Sequence, residues 1–181
     1  MAAQLMRVLY VDGYNILGAW PELTRSRTMA DARDALIEEL HDYAGYTNQQ
    51  VIAVFDAWQG GRRKATSEVM SRLKVVYTQR GETADHYIER CCHQSMDAIA
   101  RGALEVRVAT SDALIQTIIL GRGATRMSAR ELIEEITASH KSIDTHMTWR
   151  RTVQPKKNTV MDQLPESVRD QLEKLRRGDG R

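Results

Sequence analysis

Cysteine, aromatic residues and long apolar runs are scarce in this chain of 181 residues. The two cysteines, Cys91 and Cys92, are adjacent, so neither a disulfide framework nor a CxxC zinc site is predicted. One Phe, three Trp and six Tyr are too few to favour a base-stacking sheet of the RRM kind. No apolar stretch approaches the ~20 residues that span a bilayer. With no recognisable signal or transit peptide, the sequence predicts a cytoplasmic protein without a membrane partner, although an organelle stroma or matrix would also fit.

Several sequence motifs of common enzyme classes are also missing. Neither GxxxxGK[ST] nor GxGxxG occurs, which argues against a nucleotide cofactor. The five histidines show no HExxH spacing, and no Ser or Cys stands in a nucleophile elbow. These absences remove the usual signatures of NTPases, dehydrogenases, zinc proteases and serine hydrolases.

Short apolar runs alternate with helical patterns along the chain. Such alternation is typical of right-handed βαβ units, and the predicted class is α/β: a mostly parallel central sheet flanked by helices on both faces. The stretch 59–70, which holds two glycines and three consecutive cations, is predicted to be a flexible basic loop. The predicted strands are 7–11, 51–57, 73–79, 104–109 and 124–127, with a loop after the first strand from Gly13. The predicted helices are 28–46, 82–100, 113–120 and 128–142. Thr83 is the predicted cap of the second helix, and Ser128 and Glu131 are predicted to form a capping box at the start of the fourth.

Four aspartates lie where an apolar run gives way to a turn or a helix start: Asp12, Asp56, Asp85 and Asp112. If the runs are parallel strands, their carboxyl ends open into one crevice, with the first and fourth predicted strands adjacent at the switch point. Clustered carboxylates repel one another, and their oxygens suit Mg²⁺ or Mn²⁺. Any single aspartate of the four could instead be a helix cap, so the prediction rests on their coincidence.

The predicted metal ligands are Asp12, Asp85 and Asp112, with Asp56 and Glu89 as further candidates. Glu89 lies four residues after Asp85 and would share its helix face. A cation held there could activate a water and stabilise charge on a scissile phosphate.

Residues that could contact a phosphate or substrate surround this set. The candidates are Asn15 after the first strand, Thr110 and Ser111 after the fourth, and the cations of the basic loop, Arg62, Arg63 and Lys64. Each also has a structural interpretation, as a turn residue, a helix cap or a solvated surface charge.

Charge is distributed unevenly between the two parts of the chain. Residues 1–149 hold 17 Lys or Arg against 19 Asp or Glu, whereas residues 150–181 hold 9 against 5. We expect a domain over 1–149 and a basic C-terminal tail over 150–181, with a short helix from Glu166 to Arg176. A basic tail suits a polyanionic partner, although it is also a common solubility feature.

Five ordered sequence blocks within about residues 7–147 form a further pattern: YVDGYNIL, VFDA, YTQRGETADHYIE, VATSDALIQ and GATRMSARELIEEI. The blocks GETADxxIE and ATSDxxxQ are the most specific of the five. Together the blocks resemble the YacP-like NYN-domain ribonucleases, a branch of the PIN-like nuclease superfamily.

The resemblance implies a Rossmann-like PIN/NYN fold and a metal-dependent endoribonuclease that cuts mRNA on the translating ribosome. It places Asp12, Asp85 and Asp112 at the family's acidic positions. The alternative from another class is a non-catalytic RNA- or ribosome-binding module with a vestigial acidic crevice. A metal-dependent phosphatase is disfavoured because the first strand leads into DGYN rather than a DxD arrangement.

Overall fold

The computed structural model describes residues 5–57, 66–112, 117 and 120–153, the last part (143–153) as backbone only. Six strands form one sheet in the order β3-β4-β2-β1-β5-β6. All neighbouring strands are parallel except β3, which runs antiparallel to β4 at one edge. The strands are β1 (Met6–Asp12), β2 (Gln50–Phe55), β3 (Thr66–Met70), β4 (Leu73–Tyr77), β5 (Leu104–Ala109) and β6 (Thr125–Met127).

Helices cover both faces of the sheet, because each central strand is apolar on both sides. In β1, Leu9 and Val11 pack into a core with the first three helices and the start of the last, while Val8 and Tyr10 pack against α4. This confirms the predicted α/β class with a mostly parallel sheet. The helices are α1 (Gly13–Ala19), α2 (Pro21–Thr24), α3 (Met29–Thr47), α4 (Ala84–Ala100) and α5 (Ala129–Val153).

Side-chain caps fix where the longer helices begin. Thr28 forms a reciprocal capping box with Asp31 at the start of α3, and the Thr83 hydroxyl accepts a hydrogen bond from the His86 amide at the start of α4. The predicted capping box before α5 is confirmed, since Ser128 and Glu131 exchange hydrogen bonds of 3.2 and 2.7 Å. The sequence therefore sets these boundaries locally.

Three predictions about elements are corrected by the structure. The basic-loop prediction is wrong over Thr66–Met70, which forms β3; this edge strand is largely exposed, so its sequence lacks an apolar face. Residues 13–19 form α1 instead of a loop. Helix α5 continues to Val153, beyond its predicted end at 142.

By its contacts the chain divides into two compact units, Met1–Lys141 and Ser142–Arg181. The predicted boundary between 149 and 150 stays a prediction. The predicted helix Glu166–Arg176, most of the predicted helix 113–120, and the cations Arg62, Arg63 and Lys64 lie outside the described residues. Among the described helices, none combines the length and apolar character needed to cross a membrane.

Candidate active site

The carboxyl ends of β1 and β5 lie side by side, and this is where the chain changes direction across the sheet. Val11 is in register with Ala109, so Asp12 and the Thr110–Asp112 segment leave the sheet at the same edge. On the other side of β1, Asp12 is in register with Val54 of β2, two residues before Asp56. The predicted adjacency of the first and fourth predicted strands is confirmed.

Asp12 is both the last residue of β1 and the N-cap of α1. Its Oδ1 accepts a hydrogen bond of 3.1 Å from the Asn15 amide. Burial, and to a smaller extent the charges of Asp85, Asp56 and Asp112, raise the pKa of Asp12 from 3.8 to about 6, against the lowering effect of the Asn15 hydrogen bond. The charges of Asp56, Asp85 and Asp112 thus act on Asp12, and these four aspartates are hereafter called the acidic cluster.

Asp85 lies in the first turn of α4 and faces the same environment. Burial raises its pKa, and the charges of Asp112 and Asp56 raise it further, while neighbouring His86 lowers it. Among the described residues, Asp85 Oδ1 is buried and has no hydrogen-bond partner. A buried, unpaired carboxylate oxygen is costly unless a ligand satisfies it.

Asp56 links β2 to the start of α4. Its Oδ1 accepts a hydrogen bond from the backbone amide of Ala84, the residue immediately before Asp85. A carboxylate at the N-terminus of a helix is favoured by the exposed amides there. Asp56 therefore helps to position Asp85.

Asn15 joins the two loops that carry Asp12 and Asp112. Its side-chain oxygen accepts a hydrogen bond of 2.8 Å from the Ser111 amide, and its backbone amide donates one to Asp12. Thr110 is fully buried, and its hydroxyl accepts a hydrogen bond of 3.1 Å from the Asp112 amide. Both side chains thus hold the acidic cluster in place, whereas Ser111 is exposed beside it.

Glu89 shares the face of α4 with Asp85 as predicted, but its carboxylate is engaged elsewhere. Its Oε1 lies 2.8 Å from Arg122 Nη2, and Arg122 Nη1 also lies 2.5 Å from His93 Nδ1. Sequence reasoning missed Arg122, because its distance of 33 residues from Glu89 gives no local pattern. An arginine partner accounts for the charge of Glu89 in this arrangement.

The donor set fits a hard divalent cation in its chemistry, since all four members of the acidic cluster offer carboxylate oxygens. The unpaired oxygen of Asp85 and the raised pKa of Asp12 both indicate negative charge that lacks full compensation. Within the described part of the chain, however, no three His, Cys, Asp or Glu side chains are close enough together to form a ready-made metal group. Asp12, Asp56 and Asp112 thus follow neighbouring strands at the same edge of the sheet, with Asp85 beside Asp56, but they do not form a coordination shell.

The family follows from comparison with known proteins. A model of the YacP-like NYN domain matches residues 9–177. The chain belongs to the YacP-like NYN domain family. This match extends past residue 149 into the predicted basic tail.

Relatives agree with this family assignment. The chain is 39% identical over 178 residues to the YacP protein of Bacillus subtilis strain 168, covering 96% of this chain and 99% of that one. The crystal structure of Rae1 (YacP) from Bacillus subtilis is similar with a TM-score of 0.68 and 38% identity, covering 96% of this chain and 97% of that one. The crystal structure of a tryptophan-to-leucine variant of Rae1 (YacP) is similar with a TM-score of 0.67 and 34% identity, covering 93% of this chain and 98% of that one. The Rossmann-like PIN/NYN fold predicted from the sequence is confirmed, and the domain is of a nuclease-like kind.

Proposed function

We propose that this YacP-like NYN protein is a divalent-metal-dependent endoribonuclease that cuts mRNA in the cytoplasm, in association with the translating ribosome. The observation that supports the proposal is that Asp12, Asp56 and the Thr110–Asp112 segment follow three adjacent parallel strands at one edge of the sheet, with Asp56 hydrogen-bonded to the Ala84 amide next to Asp85. Membership of a nuclease-like family supports the reaction type. The ribosome and mRNA as partners come from the family resemblance of the sequence blocks.

Asp12, Asp85 and Asp112 would hold the ion, which by its oxygen ligands would be Mg²⁺ or Mn²⁺. The chemistry that such an ion supplies is charge neutralisation at the scissile phosphodiester and activation of a water for attack. Asp56 acts through the Ala84 amide as a positioning residue, and Asn15 acts through the Ser111 amide in the same way. The protein's own contribution would be to hold these carboxylates at the same edge of the sheet.

The test is RNA cleavage by an Asp85→Asn variant with ribosomes present, because free RNA is not assumed to be a competent substrate. The side chain keeps its size but loses its charge, so we expect cleavage to fall by about 10²-fold or more, with the fold retained. Glu38→Gln, which neutralises an exposed carboxylate on α3, is the matched control and should cleave like the wild type. Undiminished cleavage by Asp85→Asn would refute the proposal.

The same pair of variants separates the nuclease from a non-catalytic binding module. A binding module would associate with ribosomes equally well in the wild type and in Asp85→Asn, and neither preparation would cleave RNA. The nuclease predicts cleavage that disappears in the variant while association persists.

A further inference from the structure

A cavity of about 780 Å³ opens beside the acidic cluster. Tyr14, Leu17 and Gly18 of α1 line it, together with Met29 at the start of α3 and Asp56 after β2. Its volume falls within the range of about 300–1,000 Å³ that is usual for small-molecule sites. Asp56 belongs to both, so the cavity borders the acidic cluster at this residue.

The walls of this cavity suit a flat aromatic ligand. The Tyr14 ring is half-buried and is held edge-on against Phe55, with centroids 5.3 Å apart and planes at 76°. Leu17 is buried, whereas Met29 is 49% exposed. A fixed aromatic ring, a thioether and an aliphatic surface together form a place where a π-system can stack.

One charged acceptor stands at the edge of these apolar walls. Asp56 is exposed. Among the described residues, the Ala84 amide donates a hydrogen bond to Asp56 Oδ1. Its second oxygen can accept a further hydrogen bond from a ligand in the cavity. A carboxylate accepts from the amino group of cytosine, and the same chemistry applies to the amino groups of adenine and guanine.

The geometry points to a subsite for one unstacked nucleobase of the RNA strand whose phosphate lies at the acidic cluster. This inference rests on the proposed function, and it adds the part of the substrate that is recognised next to the cleaved bond. Proteins that read single-stranded RNA commonly splay out a base and stack it on an aromatic side chain. A base seated with the amino group of cytosine on Asp56 would bring the O4 carbonyl of uracil against the carboxylate, and uracil could donate its ring N3–H only after shifting. Bases with an amino group therefore bind better than uracil.

Gly18 allows the cavity to be filled without disturbing the fold. It lies in α1 and lines the cavity, and a Cβ added there meets nothing within 4 Å, so Gly18→Leu can begin a side chain at the cavity without a clash at Cβ. Gly45 of α3 is equally open and does not line the cavity, which makes Gly45→Leu the matched control. Both changes replace a helical glycine by a stronger helix former, so neither is expected to lower the unfolding midpoint.

The experiment follows the Met29 methyl resonance by NMR during titration with CMP or UMP in buffer without divalent metal. We expect CMP to shift it in the wild type and in Gly45→Leu. The apparent affinity should be at least about tenfold lower for UMP, which lacks the amino group that donates to Asp56, and for CMP with Gly18→Leu, which loses the stacking contact. An unmoved Met29 resonance in the wild type, or equal CMP affinity in all three proteins, would overturn the inference.

Cleavage assays of the same variants distinguish this failure from failure of the nuclease proposal. If Asp85→Asn abolishes cleavage while Gly18→Leu cleaves with unchanged KM, the nuclease stands and the base subsite is wrong. If Asp85→Asn cleaves normally, the nuclease is wrong, and the CMP titration still decides whether the cavity binds a base. The inference itself predicts a raised KM for Gly18→Leu against an unchanged KM for Gly45→Leu.

Discussion

Asp12 combines two roles whose energetic effects are opposite. As the N-cap of α1 it satisfies the Asn15 amide, which favours the ionised carboxylate. As a buried group beside three other carboxylates it is penalised when charged, and the second effect is larger because the pKa of Asp12 rises to about 6. Residues that lower stability in this way are expected where function requires them.

This penalty predicts a pH-dependent effect of Asp12→Asn on stability. The stability that Asp12 contributes is fully present below pH 3.8 and is lost as the pH rises through about 6, since the folded state then holds an unfavourable charge. In a chelating buffer at pH 7.5, the free energy of unfolding of Asp12→Asn should therefore exceed that of the wild type by up to about 3 kcal/mol, because Asn keeps the helix cap without the charge. Chemical denaturation at pH 7.5 and 4 measures the difference.

The gain should largely disappear at pH 4. Glu38→Gln, on the exposed face of α3, should show no comparable gain at pH 7.5. A variant that is less stable than the wild type at pH 7.5 would contradict the electrostatic account of Asp12.

At the scale of elements, the short helix α1 positions the side chains that surround the end of β1. It begins at Gly13, whose missing side chain allows the Phe55 ring to pack directly against the backbone, and an added Cβ would overlap that ring. Phe55 is completely buried, so it has little room to move aside. Gly13 thus allows the close approach of α1 to β2, and with it the placement of Asn15 and Tyr14.

Gly13→Ala should therefore destabilise the protein through overpacking, by about 1–3 kcal/mol or more. The free energy of unfolding in urea is the measurement. Gly45→Ala is the control in α3, where the added methyl meets nothing within 4 Å and should be neutral or stabilising by up to about 1 kcal/mol. Equal stability of Gly13→Ala and Gly45→Ala would show that the contact with Phe55 does not constrain α1.

The sequence predicted the elements whose pattern is local and missed those that depend on tertiary partners. The Thr83 cap of α4, the capping box of α5 and the apolar strands β1, β2 and β5 have signals within a few residues. Helix α1 was missed because its seven residues include two glycines and follow a strand without a break, and it is stabilised by packing on β2. Edge strand β3 was missed because its side chains are mostly exposed.

The same division holds within the site. Strand-end position alone placed Asp12, Asp56 and Asp112 at one edge of the sheet, and Asp85 followed from the helix cap at Thr83. The partnership of Glu89 with Arg122 and the cavity beside Asp56 depend on residues distant in sequence. Such contacts are invisible to periodicity, which reports only which face of an element is apolar.

At the scale of the whole molecule, an acidic site on a body of nearly balanced charge has to approach a polyanion. The chain carries 26 Lys or Arg and 24 Asp or Glu, so attraction to RNA has to come from local concentrations of cations. The consecutive cations Arg62, Arg63 and Lys64 and the basic segment 150–181 are the two such concentrations in the sequence. Their roles remain predictions from charge.

Replacing Arg62, Arg63 and Lys64 together by Ala should weaken association with ribosomes and reduce its salt dependence. Each lost phosphate contact lowers the slope of log K against log salt by about 0.7–0.9. Co-sedimentation over a range of salt concentrations gives this slope. The matched control replaces three exposed cations elsewhere by Ala, namely Arg25, Arg101 and Arg130. It should leave the slope closer to that of the wild type. An unchanged slope in the first variant would exclude these cations as the contact.

The central claim is that the acidic cluster binds a divalent cation at the edge of the sheet between β1 and β5. A crystal of the wild-type protein soaked in Mn²⁺ and measured at the manganese absorption edge tests it directly. The account predicts an anomalous peak within about 2.0–2.4 Å of carboxylate oxygens of Asp12, Asp85 and Asp112, and its loss in Asp85→Asn. A fully soaked crystal with no peak there, or with these three side chains directed away from a common point, would contradict it.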